Sequence, residues 1–101
     1  MIIRFLSSAE IEFEDAINYY NTQSEGLGFE FAAEVKRTIE RILQYPKAWS
    51  PISPRTRRCR TNRFPYGIIY QERNKSILII AVMHLAKHPN SWKSKIKTDI
   101  R

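Results

Sequence analysis

Apolar residues recur along this chain with two different periods, and the change from one to the other divides it in two. Ile2, Ile3, Phe5 and Leu6 form a short apolar run that reads as a first strand. Ser7 followed by Glu10 matches a capping box that opens a helix. Ala9, Phe13, Ala16, Ile17 and Tyr20 then recur at spacings of three and four, with Glu10, Glu12, Glu14, Asp15, Asn18 and Asn21 mainly on the other side. That spacing predicts an amphipathic helix ending near Asn21. Gly26-Leu27-Gly28 suits a reversal of direction with positive φ at its glycines. A second helix follows, with Phe31, Ala32, Val35, Ile39, Ile42 and Leu43 as its buried stripe. Glu30, Glu34, Lys36, Arg37, Glu40 and Arg41 are expected outward, and Pro46 stops the helix.

Beyond Pro46 the pattern shortens to that of strands. A proline-punctuated loop at 52–54 precedes a possible strand over 56–60 with an unusually polar exposed side. Residues 66–72 read as a second strand and Arg73-Asn74-Lys75 as a hairpin turn. Residues 76–84, nearly unbroken apolar from Ile77 to Val82, predict a central strand buried on both sides. Pro89 and Asn90 end the regular pattern, leaving Trp92 and a basic tail of Lys93, Lys95, Lys97 and Arg101. The order β-α-α-β-β-β predicts an α+β fold in which a helical hairpin packs on a mostly antiparallel twisted sheet. A length of 101 residues suits one core, so a single domain over 1–101 is expected.

Charge changes this picture more than composition does. Residues 1–46 carry about −4 and residues 47–101 about +11, for a net +7. Arg55, Arg57, Arg58, Arg60 and Arg63 crowd one short segment, and a field concentrated in this way steers acidic partners. No apolar stretch is long enough to span a bilayer, so no membrane association is expected. The run Met1 to Phe5, broken by Arg4, lacks the length and cleavage site of a signal peptide, which favours the cytoplasm. Cys59 is the one cysteine, without partners at metal-ligand spacing; neither a metal nor another cofactor is implied.

Several motifs in their order resemble the RelE/ParE superfamily of toxins from toxin–antitoxin pairs, also grouped as plasmid-stabilisation proteins. They are Tyr19-Tyr20 in the first helix, Gly26-Leu27-Gly28 with Phe31 behind it, the Pro46 stop, and the block Arg63-Phe64-Pro65-Tyr66-Gly67-Ile68-Ile69-Tyr70. The close, Ala81-Val82-Met83-His84 with Lys87-His88-Pro89 and Trp92, is similar too, although an arginine is more usual than Lys87. The resemblance implies a cognate antitoxin and one of two activities. ParE-like members bind and inhibit DNA gyrase, whereas RelE-like members cut ribosome-bound messenger RNA.

For cleavage a base must take the 2′-hydroxyl proton, cations must hold the phosphorane and an acid must protonate the leaving oxygen. By resemblance Arg58 and Arg60 stand where RelE has two basic residues, and His84 and Lys87 are the nearest groups near the last strand's end. Gly67, Leu85 and Trp92 fall where a nuclease of this type has reactive side chains, which favours the ParE-like activity. His84 is a candidate base or acid, although a histidine closing an apolar strand also reads as a hydrogen-bonded structural residue. His88 reads as a loop residue. As a partner or nucleic-acid surface, Arg55, Arg57, Arg58, Arg60 and Arg63 are the principal candidates, with Tyr66, Tyr70 and Trp92 as possible stacking groups. A basic nucleic-acid-binding module without toxicity is the third reading.

Overall fold

Leu6 ends the first strand and opens the first helix. Its N–H donates to the Ile79 carbonyl at 2.9 Å, while its own carbonyl accepts from the N–H groups of Ala9 and Glu10 at 3.0 and 3.1 Å. The strand β1 (Ile2–Phe5) therefore passes directly into α1 (Ser7–Gln23), with Leu6 at the N-cap and no side-chain cap. The expected Ser7–Glu10 capping box does not form, because β1 continues its ladder through Leu6 and Ser7 is already helical. This computed structural model describes residues 1–87 and 90–99, the last three by backbone alone. His88, Pro89, the Lys97 side chain and Arg101, all named above, lie outside the described residues.

The two glycines of the interhelical turn serve different ends. Gly26 alone has positive φ, at 83°, and caps α2 (Leu27–Gln44). Gly28 is there for space: a Cβ on it would lie 2.1 Å from the Ile17 carbonyl oxygen. α1 ends at Gln23, close to Asn21 as expected, and the Asn21 Oδ1 accepts from the Gly28 N–H across the turn at 2.8 Å. The hairpin's apolar stripe, with Ala9, Ala16, Phe31, Val35 and Ile42 buried, lies on the sheet.

The sheet has the order β1-β5-β4-β3-β2, using β2 (Ser50–Pro51), β3 (Arg57–Arg60), β4 (Tyr66–Arg73) and β5 (Ser76–His84). β1 runs parallel to β5 and every other pair is antiparallel. The expected α+β architecture holds, with a two-residue edge strand β2 and a helix α3 (Lys93–Asp99) added. Neither carries enough periodicity to be read from sequence. Asn74 and Lys75, with φ of 43° and 57°, make the two-residue turn that matches strand twist. β5 is paired on both sides and buried from Ile77 to Met83.

Register sets which side chains share a face, because directly paired residues point the same way. Tyr66 pairs with His84 and packs 4.8 Å from the Phe31 ring, so this line faces the hairpin. Arg60, Gly67 and Met83 form the adjacent line, on the opposite face. There Trp92 is buried and Ser91 Oγ contacts Met83 Sδ at 3.1 Å. The chain after β5 therefore covers part of the second face of the sheet, around Met83.

Candidate partner-binding surface

β3 presents arginine on both faces because a strand alternates, and its one apolar residue, Cys59, takes the interior. Cys59 is 1% exposed, and burial pushes its thiol up against the lowering influence of Arg41. Arg57 shares that face and donates to the Trp49 carbonyl at 2.8 Å. Arg58 and Arg60 point away from the hairpin. The Arg58 stem lies over Gly67, whose absent Cβ would meet its Cγ and Cδ at 3.0 Å. Gly67 thus makes room for an arginine lying flat across the sheet. The Arg58 Nε is buried without a hydrogen-bond partner. Arg55 is exposed in the preceding loop. Arg63 pairs with Glu30 at 2.9 Å, both half-exposed, and its guanidinium sits 5.2 Å from the Phe64 ring.

The anchor of this surface is Glu34, which the helical pattern places outward. It is 2% exposed. One carboxylate oxygen accepts from the Asn62 N–H at 2.8 Å and the other from Arg37 at 3.1 Å. Burial alone would raise its carboxyl, but the Asn62 N–H and then Arg37 and Arg41 outweigh it and hold it below the ordinary value. Glu30 and Glu34, one turn apart on α2, therefore dock the β3–β4 loop through Arg63 and Asn62. A Glu-x-x-x-Glu pair on a helix is too common for sequence to single out as this clasp.

His84 and Lys87 stand elsewhere. The His84 ring lies 5.2 Å from Tyr66 on the hairpin side, and its Nδ1 accepts from the Ala86 N–H at 3.0 Å. In that hydrogen bond Nδ1 carries no proton, so the neutral ring carries it on Nε2. With Lys87, Glu12, Asp15 and Tyr19 it lines a hollow of about 260 Å³. The structure brings Arg58 to Arg60 and His84 to Lys87, but a sheet separates the two pairs.

Of the aromatic candidates, only Tyr66 keeps part of its ring exposed, within a cluster of Tyr20, Phe31 and Phe64. Tyr70 and Trp92, the other two stacking candidates, are 1% and 4% exposed and so closed to a base. The Tyr70 hydroxyl donates to the Pro46 carbonyl at 2.6 Å, and burial pushes its pKa up to about 12. Both rings are core because the sheet is covered on both faces. Several outward-facing apolar groups lie on the hairpin, where Ile11, Tyr19 and Phe29 are 59%, 57% and 70% exposed. Among the described residues no group of three or more His, Cys, Asp or Glu is placed to hold a metal ion, and no helix is long and apolar enough to cross a membrane.

Known proteins add to this geometry. No curated protein matches the chain. A solved structure of the chromosomal ParDE toxin–antitoxin system from P. aeruginosa aligns with a TM-score of 0.73 at 12% identity, covering 83% of this chain and 95% of that one. At that identity the likeness is one of fold. The family model for the ParE toxin of the type II toxin–antitoxin system parDE matches residues 3–89, from β1 past the end of β5. With hairpin, sheet and the Arg63 to Tyr70 block all inside that match, the chain belongs to the ParE toxin family of type II toxin–antitoxin systems.

Proposed function

We propose that this toxin acts in the cytoplasm by binding and inhibiting DNA gyrase, as a single domain over 1–101, and that a cognate antitoxin neutralises it. The observation that carries this reading is the separation of Arg58 and Arg60 from His84 and Lys87 by the thickness of the sheet. Cleavage of a phosphodiester needs base, acid and cations around one phosphate. Two half-sets on opposite faces do not surround one. Gly67 points the same way, since it supports the Arg58 stem rather than contributing a side chain. The exposed arginines at 55 and 60, with the Arg58 guanidinium, are then a contact surface for the gyrase–DNA complex. Ile11, Tyr19 and Phe29 give an amphipathic antitoxin segment apolar ground on the hairpin.

The test uses purified full-length protein. Gyrase supercoiling is expected to stop on its addition and to return with the antitoxin, while ribosome-bound messenger stays intact. Cut messenger with unimpaired supercoiling would replace this reading by the RelE-like ribonuclease. Normal growth of cells producing the folded protein alone would remove toxicity altogether.

A further inference from the structure

β2 is only two residues long and pairs with Arg57 and Arg58, so among the described residues the edge of β3 from Cys59 on has no strand beside it. A cleft of about 550 Å³ opens there, lined by Arg41, Trp49, Ser50, Arg58, Arg60 and Asn62. Among the described residues three arginines line it and no acidic residue does. Glu34, which reaches the cleft residue Asn62, is engaged by the Asn62 N–H and Arg37. Arg41 is fixed by the Arg60 carbonyl at 3.0 Å and by Thr38 Oγ1 at 3.3 Å. Its guanidinium lies 6.0 Å from the centre of the Trp49 ring, whose Nε1–H donates to the Arg41 carbonyl at 3.4 Å. Trp49 is thus a half-buried indole held in place beside three cations.

Arg58 is the unresolved member. Packing on Gly67 fixes its stem, its Nε is desolvated, and no acceptor is supplied to it. A partly desolvated guanidinium without a counter-ion is unfavourable alone and preset to receive an anion in fork geometry. A carboxylate would satisfy the arginines but add nothing to the exposed part of the indole, which already holds Arg41. A phosphate joined to a planar base satisfies both.

We propose that this cleft binds one nucleotide unit of a single-stranded nucleic acid, with phosphate on Arg58 and Arg60 and base against Trp49. The inference goes beyond the gyrase reading and needs no gyrase to test. The full-length protein is titrated with labelled oligothymidylate and oligouridylate by fluorescence anisotropy, at several salt concentrations. Both strands share the recognised chemistry, and their relative affinity identifies DNA or RNA as the source. Trp49→Ala is expected to weaken binding at least about fivefold. Arg58→Gln, which keeps most of the stem over Gly67, is expected to flatten the slope of log affinity against log salt by ~0.7.

An oligomer of abasic units is expected to bind the unmodified protein as weakly as the normal strand binds Trp49→Ala. That arm reads the base contact without depending on any variant's folding. Equal affinity for abasic and normal strands would overturn the proposal, leaving a general anion site; so would an unchanged salt slope in Arg58→Gln, or no strand binding at all. Strand binding with intact supercoiling would sink only the gyrase reading. Blocked supercoiling without strand affinity would sink only this one.

Discussion

Replacing Glu34 by glutamine tests whether the buried carboxylate is what fastens the β3–β4 loop to α2. Both carboxylate oxygens accept, one from the Asn62 N–H at 2.8 Å and one from Arg37 at 3.1 Å. Glutamine has one acceptor, so its amide N–H₂ must meet one of those donors. Arg37 is 55% exposed and can turn to water, so its share is small. Asn62 keeps a partner but exchanges a charged acceptor for a neutral one, from ~1.5–3 to ~0.5–1.5 kcal/mol. The substitution is therefore expected to cost about 1–2 kcal/mol, or roughly 5–10 °C in Tm at ~2.1 cal/mol/K per residue. The pH dependence supplies a second check. A carboxyl held below its ordinary value of 4.5 stabilises the fold above that pH and loses the contribution as pH falls through the folded value. Circular dichroism melts of the two proteins should differ most near neutrality and converge well below pH 4.5. The other carboxylates titrate in both proteins and cancel. A gap of the same size at pH 7 and at pH 3, or none at pH 7, would refute the clasp.

Three further outcomes follow from packing. Gly28→Ala puts a Cβ 2.1 Å from the backbone oxygen of Ile17, which cannot rotate aside, so the helices must separate; a loss near ~3 kcal/mol in urea unfolding is expected. Tyr70→Phe leaves the Pro46 carbonyl without its donor at a cost of about 1–2 kcal/mol. A spectrophotometric titration of the five tyrosines should also lose the step near pH 12 in that variant. Because the folded value is raised, the stability tied to the Tyr70 proton is present below pH 10 and disappears as pH climbs toward 12. Glu12→Gln weakens two contacts at once, the acceptor for the Val82 N–H at 3.0 Å and the ion pair with Lys95. Faster amide exchange at Val82 and across 90–96 is the expected signature, and unchanged exchange there would show that Glu12 does not hold α3.

Much of the fold was open to sequence because its signals are local. The 3.6 period of Phe31, Val35 and Ile42, the apolar run from Ile77 to Val82 and the turn at Asn74-Lys75 each specify an element within one short window. The Arg63 to Tyr70 block was equally readable, and with it the family. Errors arose where a residue's role depends on what lies across from it. Ser7 and Glu10 have capping-box spacing, yet Leu6 is still hydrogen-bonded to Ile79. Glu34 sits at a polar helical position, yet the loop after β3 closes over it.

The candidate site divides in the same way. Sequence by itself determined that the arginines cluster, that Arg58 and Arg60 share a face, and that Gly67 offers no side chain. Alternation in a strand and the identity of a residue need no knowledge of the rest of the chain. Only the tertiary structure decided that Tyr70 and Trp92 are interior, that His84 lies across the sheet from Arg58, and that Arg41 and Trp49 come to the arginine edge. Those facts depend on strand register and on which elements cover each face of the sheet, and pairings between residues distant along the chain are set by packing of the whole.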